Sequence, residues 1–245
     1  MNEHRTTPSA ALIELSRWTE SVLEQDEELR EVEIDERLRD KDGSIGKREV
    51  TLHTKRFAGR GLSSLFYAKI VDSDRCQRSL TLIGLPEPDS ELPILGIDLI
   101  AFGNSLSLVA LDLAPTRFAY RHQNARPLLS RLVSQTAELK TRKIPDFTRG
   151  AFSDLAIIAG APRGTEDIAM QAARDILECY LLLPRGEDSS TYGTRSSKDR
   201  DVQHWCAAEL NNRKEHNALA GVFGATFARS YLDFLFQHEA RREAA

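Results

Sequence analysis

Two carboxylates stand where chemistry would need them. Asp98 lies in GIDLIAF and Asp112 in VALDLAP, each flanked on both sides by apolar residues. An unpaired charge in such a setting costs several kcal/mol, by an order-of-magnitude estimate, or is protonated instead. An aspartate at a strand end can meet this cost by accepting backbone hydrogen bonds. The alternative is a general acid that desolvation keeps protonated near neutral pH. Other familiar chemistries are not encoded: there is no GxGxxG, HExxH or GxSxG pattern and no zinc-type Cys/His cluster. His204 and Cys206 are close in sequence, but on a helix they project about 200° apart, which disfavours joint metal ligation. GAPRGTED lacks the spacing of a phosphate loop and reads as the start of a capped helix.

The carboxylates must be positioned by sheet. Leu92 to Pro115, LPILGIDLIAFGNSLSLVALDLAP, reads as two Ile-, Leu- and Val-rich strands around Gly103-Asn104, residues that tolerate the positive φ of a tight hairpin. Before it, REVEIDERL and KREVTLHTKR alternate with period two about DKDGS and predict a first antiparallel hairpin, which includes His53 as a polar strand residue. SSLFYAKIV and RSLTLIGLP follow as strands joined at DSDRC, giving about six strands. The flanks have helical periodicity. Met1 to Pro8 reads as a disordered lead, and Ser9 to Gln25 as an amphipathic helix. Pro127 to Lys140 is predicted helical, AFSDLAIIAG a further strand, and Ile168 to Leu183 a helix capped by Thr165. Asp199 to Phe236 is a last helical stretch, bent or broken near Gly221–Gly224. Helix, antiparallel meander, helices predicts an α/β (α+β) fold with a central antiparallel sheet in an α/β/α sandwich.

Composition sets the outer bounds. With 245 residues, 41% hydrophobic and 29% charged, the chain can bury a sizeable core, and no linker or repeat divides it, so residues 1–245 are expected to form a single domain. A net charge of -4 argues against a general nucleic-acid binder. Cys76, Cys179 and Cys206 are widely separated with no CxxC, and no secretory leader is apparent, which points to a reducing, cytoplasmic setting. No apolar run approaches the roughly 18 to 20 residues needed to span a bilayer.

Three patches, in order and at compatible distances, resemble the ferredoxin-dependent bilin reductases. The first, LPEPDSELPILGIDLIAFGNSLSLVALDLAP from Leu85 to Pro115, is the specific one: the family shows P-x-P, then LP-(hydrophobic)2-G-x-D, then a strand ending D-(L/F)-x-P. RKIPDFTRGAFSD (Arg142 to Asp154) and the C-terminal WCAAELNNRKEHNALAGVFGATFARSYLDFLF are similar to later family segments. The resemblance implies an α/β/α sandwich with biliverdin between the sheet and the C-terminal helices. It implies no bound metal or flavin, reduced ferredoxin (2Fe-2S) as external electron donor, and protonation of substrate radicals by the protein. Asp98 takes the position of the family's central proton-donating Asp. A desolvated carboxylic acid suits that role, because a tetrapyrrole becomes more basic on gaining an electron.

The departures are specific. Thr81 stands where the phycocyanobilin-forming branch has a His, and it cannot titrate near pH 7. Asn212-Arg213 replaces the family's Asn-Asp, so a second proton source is lost there, with Glu215 or His216 as possible substitutes. Arg213 remains able to bind a propionate or a lactam oxygen. Arg142, Lys143, Arg149 and Arg163 are further candidates for the propionates, or for a local patch meeting acidic ferredoxin. Biliverdin IXα and ferredoxin are the implied partners of an expected monomer, with heme oxygenase or a bilin-accepting protein as further ones. Two alternatives stay open: a bilin-binding protein with reduced or no catalysis, and a reductase of another open-chain tetrapyrrole. The product, and the double bond reduced, are not specified by these residues.

Overall fold

The computed structural model describes residues 7–88, 90–103, 105–116, 125–148, 150–183 and 195–237. Among them a single antiparallel sheet organises everything else. Its strands are β1 (Leu29–Glu31), β2 (Asp40–Ile45), β3 (Arg48–Gly59), β4 (Leu62–Asp72), β5 (Gln77–Pro86), β6 (Ile94–Phe102), β7 (Ser105–Ala114), β8 (Lys140–Thr141) and β9 (Ile157–Ala161). The spatial order is β1-β3-β4-β5-β6-β7-β9-β8, with β2 also paired to β3. β1 pairs with the Phe57–Gly59 end of β3 and β2 with its Arg48–His53 end, so two short strands share one edge. The five long strands β3 to β7 are sequential neighbours joined by hairpins, the connection that antiparallel pairing allows. Phe102 pairs with Ser105 across the β6–β7 turn, where Gly103 has φ +62°; Asn104 lies outside the described residues.

Both faces of the central sheet are covered by helices. On β6, Leu95, Ile97 and Leu99 join one core with Leu80 and Leu82 of β5 and with Val109, Leu111 and Leu113 of β7. That core is sealed by α1 (Pro8–Gln25), α3 (Ala125–Gln135) and α4 (Glu166–Leu181), through Leu12, Leu15, Leu132, Ile176 and Leu177. Each such fully buried leucine contributes about 1.5–3 kcal/mol of transfer free energy. The alternate residues Ile83, Leu85, Ile94 and Ala114 face the opposite way, against α5 (Arg195–Leu210), α6 (Arg213–Phe223) and α7 (Ala225–Phe236). Helices therefore lie on both sides of the sheet, as the α/β/α reading expects.

Several element readings are corrected. DKDGS is not the turn of the first hairpin: it is strand β2, and the turn falls at Gly46, φ +64°, and Lys47. The REVEIDERL segment holds the short β1 and a one-turn helix α2 (Glu36–Arg39), because Asp35 accepts a hydrogen bond from the Arg37 N–H and starts a helical turn. His53 is a paired strand residue whose Nδ1 lies 2.7 Å from Asp40 Oδ1. Pro8 belongs to α1, with Thr7 as its N-cap, so the lead does not extend through Pro8. α3 ends at Gln135 rather than Lys140, where β8 begins. Of AFSDLAIIAG only the end is strand: Ser153 is diverted into hydrogen bonding Asp112. Thr165 occupies the N-cap of α4, but its hydroxyl donates to the Pro162 carbonyl instead of capping the helix.

The C-terminal stretch breaks twice. Gly224, φ +91°, separates α6 from α7 as expected. The second break, at Asn211-Asn212, separates α5 from α6, and Asn212 N-caps the new helix. This second break shapes the site.

Candidate active site

Between the sheet face of β5, β6 and β7 and the helices α5 and α6 lies a cleft of about 800 Å³, part of it open to solvent. Its floor is made by small side chains. Gly96, Ala110 and Ala114 replace the Leu and Ile that fill the other face. A Cβ added at Gly96 would meet no atom within 4 Å, so the space above it belongs to the cleft. Aromatic walls are supplied by Trp205 and Phe152, stacked with centroids 6.3 Å apart, and by Phe236 packed edge-on to Trp205 at 5.8 Å. The site is thus largely apolar, with aromatic rings in its wall.

Asp98 opens onto this floor. It is opposite Thr81 in the β5–β6 register and opposite Ala110 in β6–β7, both on the cleft face. Thr81 Oγ1 donates to Asp98 Oδ1 at 2.9 Å. Desolvation pushes the Asp98 carboxyl up from 3.8 to about 6, and the Thr81 bond opposes this only in part. Asp112, one step along the same face, is pushed up to about 6, chiefly by burial. Ser153 supplies it with two donors, the backbone N–H at 2.9 Å and the hydroxyl, which hold the carboxyl against the chain entering β9. Asp112 therefore has a positioning duty that Asp98 lacks. Asp98 accepts only the Thr81 hydroxyl among the described side-chain bonds, leaving oxygen lone pairs directed to the cleft.

The helix wall brings two further acids. Glu209, near the end of α5, follows Trp205 by one helical turn, so both project into the cleft. Glu215 in the first turn of α6 and the capping Asn212 line it as well. Burial raises Glu209 to about 7, with the Asp98 charge adding to it. Glu215 is raised well above the usual carboxyl range, first by burial and then by the charges of Glu209 and Asp98. No Lys, Arg or His is among the described residues lining the cleft. Its described walls thus present an apolar slot with carboxyls of raised pKa at both faces. Among the described residues no cluster of three or more His, Cys, Asp or Glu has the geometry of a metal site.

Of the residues singled out from sequence, Asp98, Thr81, Asn212 and Glu215 converge on the cleft. Arg213 is the first residue of α6, is exposed, and is not among the described residues lining the cleft. Arg163 is exposed in the β9–α4 turn, and Arg142 and Lys143 are exposed on the segment after β8. Lys143 pairs with Asp146 at 3.3 Å. None of these cations lines the described cleft, and Arg149 lies outside the described residues. His216 is half-buried in α6 and is not a lining residue. Glu209 was missed. Its one signal was the Trp205–Glu209 spacing, an acid on the aromatic face of a helix.

The cleft is thus largely apolar and carries carboxyls on two sides, Asp98 and Asp112 from the sheet and Glu209 and Glu215 from the helix wall. Comparison with known proteins gives the family. The chain matches the model of the family described as ferredoxin-dependent bilin reductase over residues 17–237. It belongs to that family, whose members are oxidoreductases of bilins. It is 24% identical over 209 residues to phycocyanobilin:ferredoxin oxidoreductase of Synechococcus sp. (strain CC9605), covering 82% of this chain and 81% of that one. It is also 24% identical over 168 residues to the same enzyme of Prochlorococcus marinus, 64% of this chain and 63% of that one. In fold it is similar to phytochromobilin synthase from tomato, solved in complex with biliverdin, with a TM-score of 0.71 at 16% identity over 90% of this chain and 82% of that chain.

Proposed function

We propose that the protein reduces biliverdin IXα to a phytobilin, accepting electrons one at a time from reduced ferredoxin while Asp98 protonates the bound pigment. The observation that carries this is Asp98 itself: a carboxyl held near pH 6 on the floor of a slot that suits a flat conjugated ligand. A biliverdin complex of a protein sharing this fold supports the choice of pigment. Thr81 steadies Asp98 without titrating, so the acid function rests on the carboxyl alone. A general acid works best with a pKa near the operating pH, and Asp98 is placed to give up its proton once the pigment becomes an anion radical. Trp205 and Phe152 provide stacking surface and exclude water from the proton-transfer path.

With no cation among the described lining residues, the propionates would leave the cleft toward solvent and the exposed basic residues. The iron–sulfur cluster belongs to ferredoxin, the external donor. The three cysteines are free thiols, which fits a reducing cytosol, with heme oxygenase as supplier of the substrate and a bilin-accepting protein as recipient of the product. The test is anaerobic incubation of purified protein with biliverdin IXα and a reduced ferredoxin system. A new bilin, resolved by chromatography, supports the reading, and its absorption identifies the bond reduced. Bound but unreduced pigment, with a competent donor present, would refute it.

A further inference from the structure

Both carboxylate oxygens of Asp112 are taken by one residue. Oδ2 accepts the Ser153 backbone N–H at 2.9 Å and Oδ1 accepts its hydroxyl, while Ser153 Oγ in turn accepts the Leu155 N–H at 3.2 Å. The strand pairing explains why such a clip is needed. β9 pairs with β7 only as far as Leu111–Ile157, so at Asp112 the ladder has ended. The segment between β8 and β9 has no strand of its own among its described residues, yet it carries Pro145, Thr148 and Phe152 onto the cleft. Without a ladder, its backbone is held by individual hydrogen bonds.

Phe152 is fixed from both sides. Its own N–H donates to the Thr148 carbonyl at 3.0 Å, and the peptide that follows it is the one whose N–H Asp112 holds. With the planar units before and after it fixed, φ and ψ of Phe152 are set and so is the direction of its ring. That ring stacks on Trp205, with centroids 6.3 Å apart and planes 19° from parallel, and Trp205 packs edge-on against Phe236. Asp112 itself stands opposite Gly96 on the floor. One side chain thus ties the floor of the cleft to its aromatic wall, and its length sets the gap between them.

We propose that Asp112 is a positioning residue of the reductase: through Ser153 it places Phe152, and with it the Phe152–Trp205 wall, against the bilin on the sheet floor. This rests on the reading of the protein as a biliverdin reductase. The proton chemistry stays with Asp98, and Asp112 acts through Phe152. A misplacement of about 1 Å in a reacting geometry can cost about 10²-fold in rate. One methylene added to the clip, about 1.5 Å of chain, is a displacement of that size.

The experiment uses the full chain with Asp112→Asn, Asp112→Glu and Phe152→Leu. Asn keeps the length of the clip: its Oδ1 accepts the Ser153 N–H and its Nδ2 donates to Ser153 Oγ, which has two lone pairs. Glu keeps the carboxylate and lengthens the clip. With biliverdin and reduced ferredoxin, the Asn variant should turn over within about threefold of wild type, and the Glu variant should lose at least about tenfold in kcat. Combining Asp112→Glu with Phe152→Leu should cost little more than either alone, because both act on one wall. Near-ultraviolet circular dichroism of the pigment-free protein reports the packing of Trp205, with Trp18 common to all variants. It should change alike in the Glu and Leu variants and match wild type in the Asn variant. An Asn variant that stalls after the first electron would overturn the proposal, since Asp112 would then be a proton donor. So would wild-type turnover by the Glu variant, or fully additive losses in the double variant. If the Glu variant does not fold, Ser153→Ala loosens the clip by removing only the hydroxyl, and an unchanged rate and spectrum would overturn the proposal. If wild type itself leaves biliverdin unreduced, the proposed function fails instead. The pigment-free spectra then decide the clip, and identical spectra for wild type and Asp112→Glu would overturn it.

Discussion

Replacing Asp98 by Asn should stabilise the protein at pH 8 while impairing it as a reductase. The folded state raises this carboxyl from 3.8 to about 6. Its proton is therefore held more tightly folded than unfolded, and ionising it costs folding free energy. The cost is absent below about pH 4, grows as pH rises through the folded value, and is complete above it. At 1.36 kcal/mol per pH unit, the rise is worth at most about 3 kcal/mol at pH 8 and about 1.5 kcal/mol at pH 5, upper bounds because water in the cleft screens the charge. Asn is nearly isosteric, and its Oδ1 can still accept the Thr81 hydroxyl now bound at 2.9 Å, so no hydrogen bond is sacrificed. Urea titrations of wild type and Asp98→Asn at both pH values measure the effect. A variant more stable than wild type by about 1–3 kcal/mol at pH 8, with a smaller gain at pH 5, is expected. Equal or lower stability at pH 8 would refute the claim that desolvation raises the Asp98 carboxyl. Retaining a destabilising acid is what a functional site does.

Two other perturbations bear on the cleft. Gly96→Val should fold normally, since the added Cβ meets no atom within 4 Å and a β-branched residue suits a strand, yet it should cost at least about tenfold in pigment affinity, read by absorbance titration; unchanged affinity would place the pigment elsewhere. Asp112→Ala should lower stability by about 1–3 kcal/mol, because it leaves the buried Ser153 N–H and hydroxyl without their acceptor; denaturant midpoints within error of wild type would show that water takes over the contact.

What the sequence disclosed depended on how local the cause was. Asp98 was legible because a lone carboxylate between Ile97 and Leu99 contradicts its own strand, and the β6–β7 hairpin was legible because its turn chemistry and period agree. The strand character of Asp40–Ile45 was hidden, since its edge position leaves it exposed and free of any apolar alternation. The helix break at Asn211-Asn212 was hidden for the opposite reason. Helical periodicity continues on both sides, and only the Asn212 cap interrupts it. With that break unseen, Glu209 could not be connected to Glu215, although each residue was in plain view. The exposed positions of Arg213 and Arg163 follow from tertiary placement, which no spacing rule conveys.

The most direct test of the central claim is single-turnover reduction of biliverdin by wild type and Asp98→Asn under anaerobic conditions, followed by absorbance. The account predicts that both bind the pigment with similar affinity, that wild type proceeds to product, and that Asp98→Asn takes up an electron and then stalls at the unprotonated radical. Product formation by Asp98→Asn at the wild-type rate would contradict it.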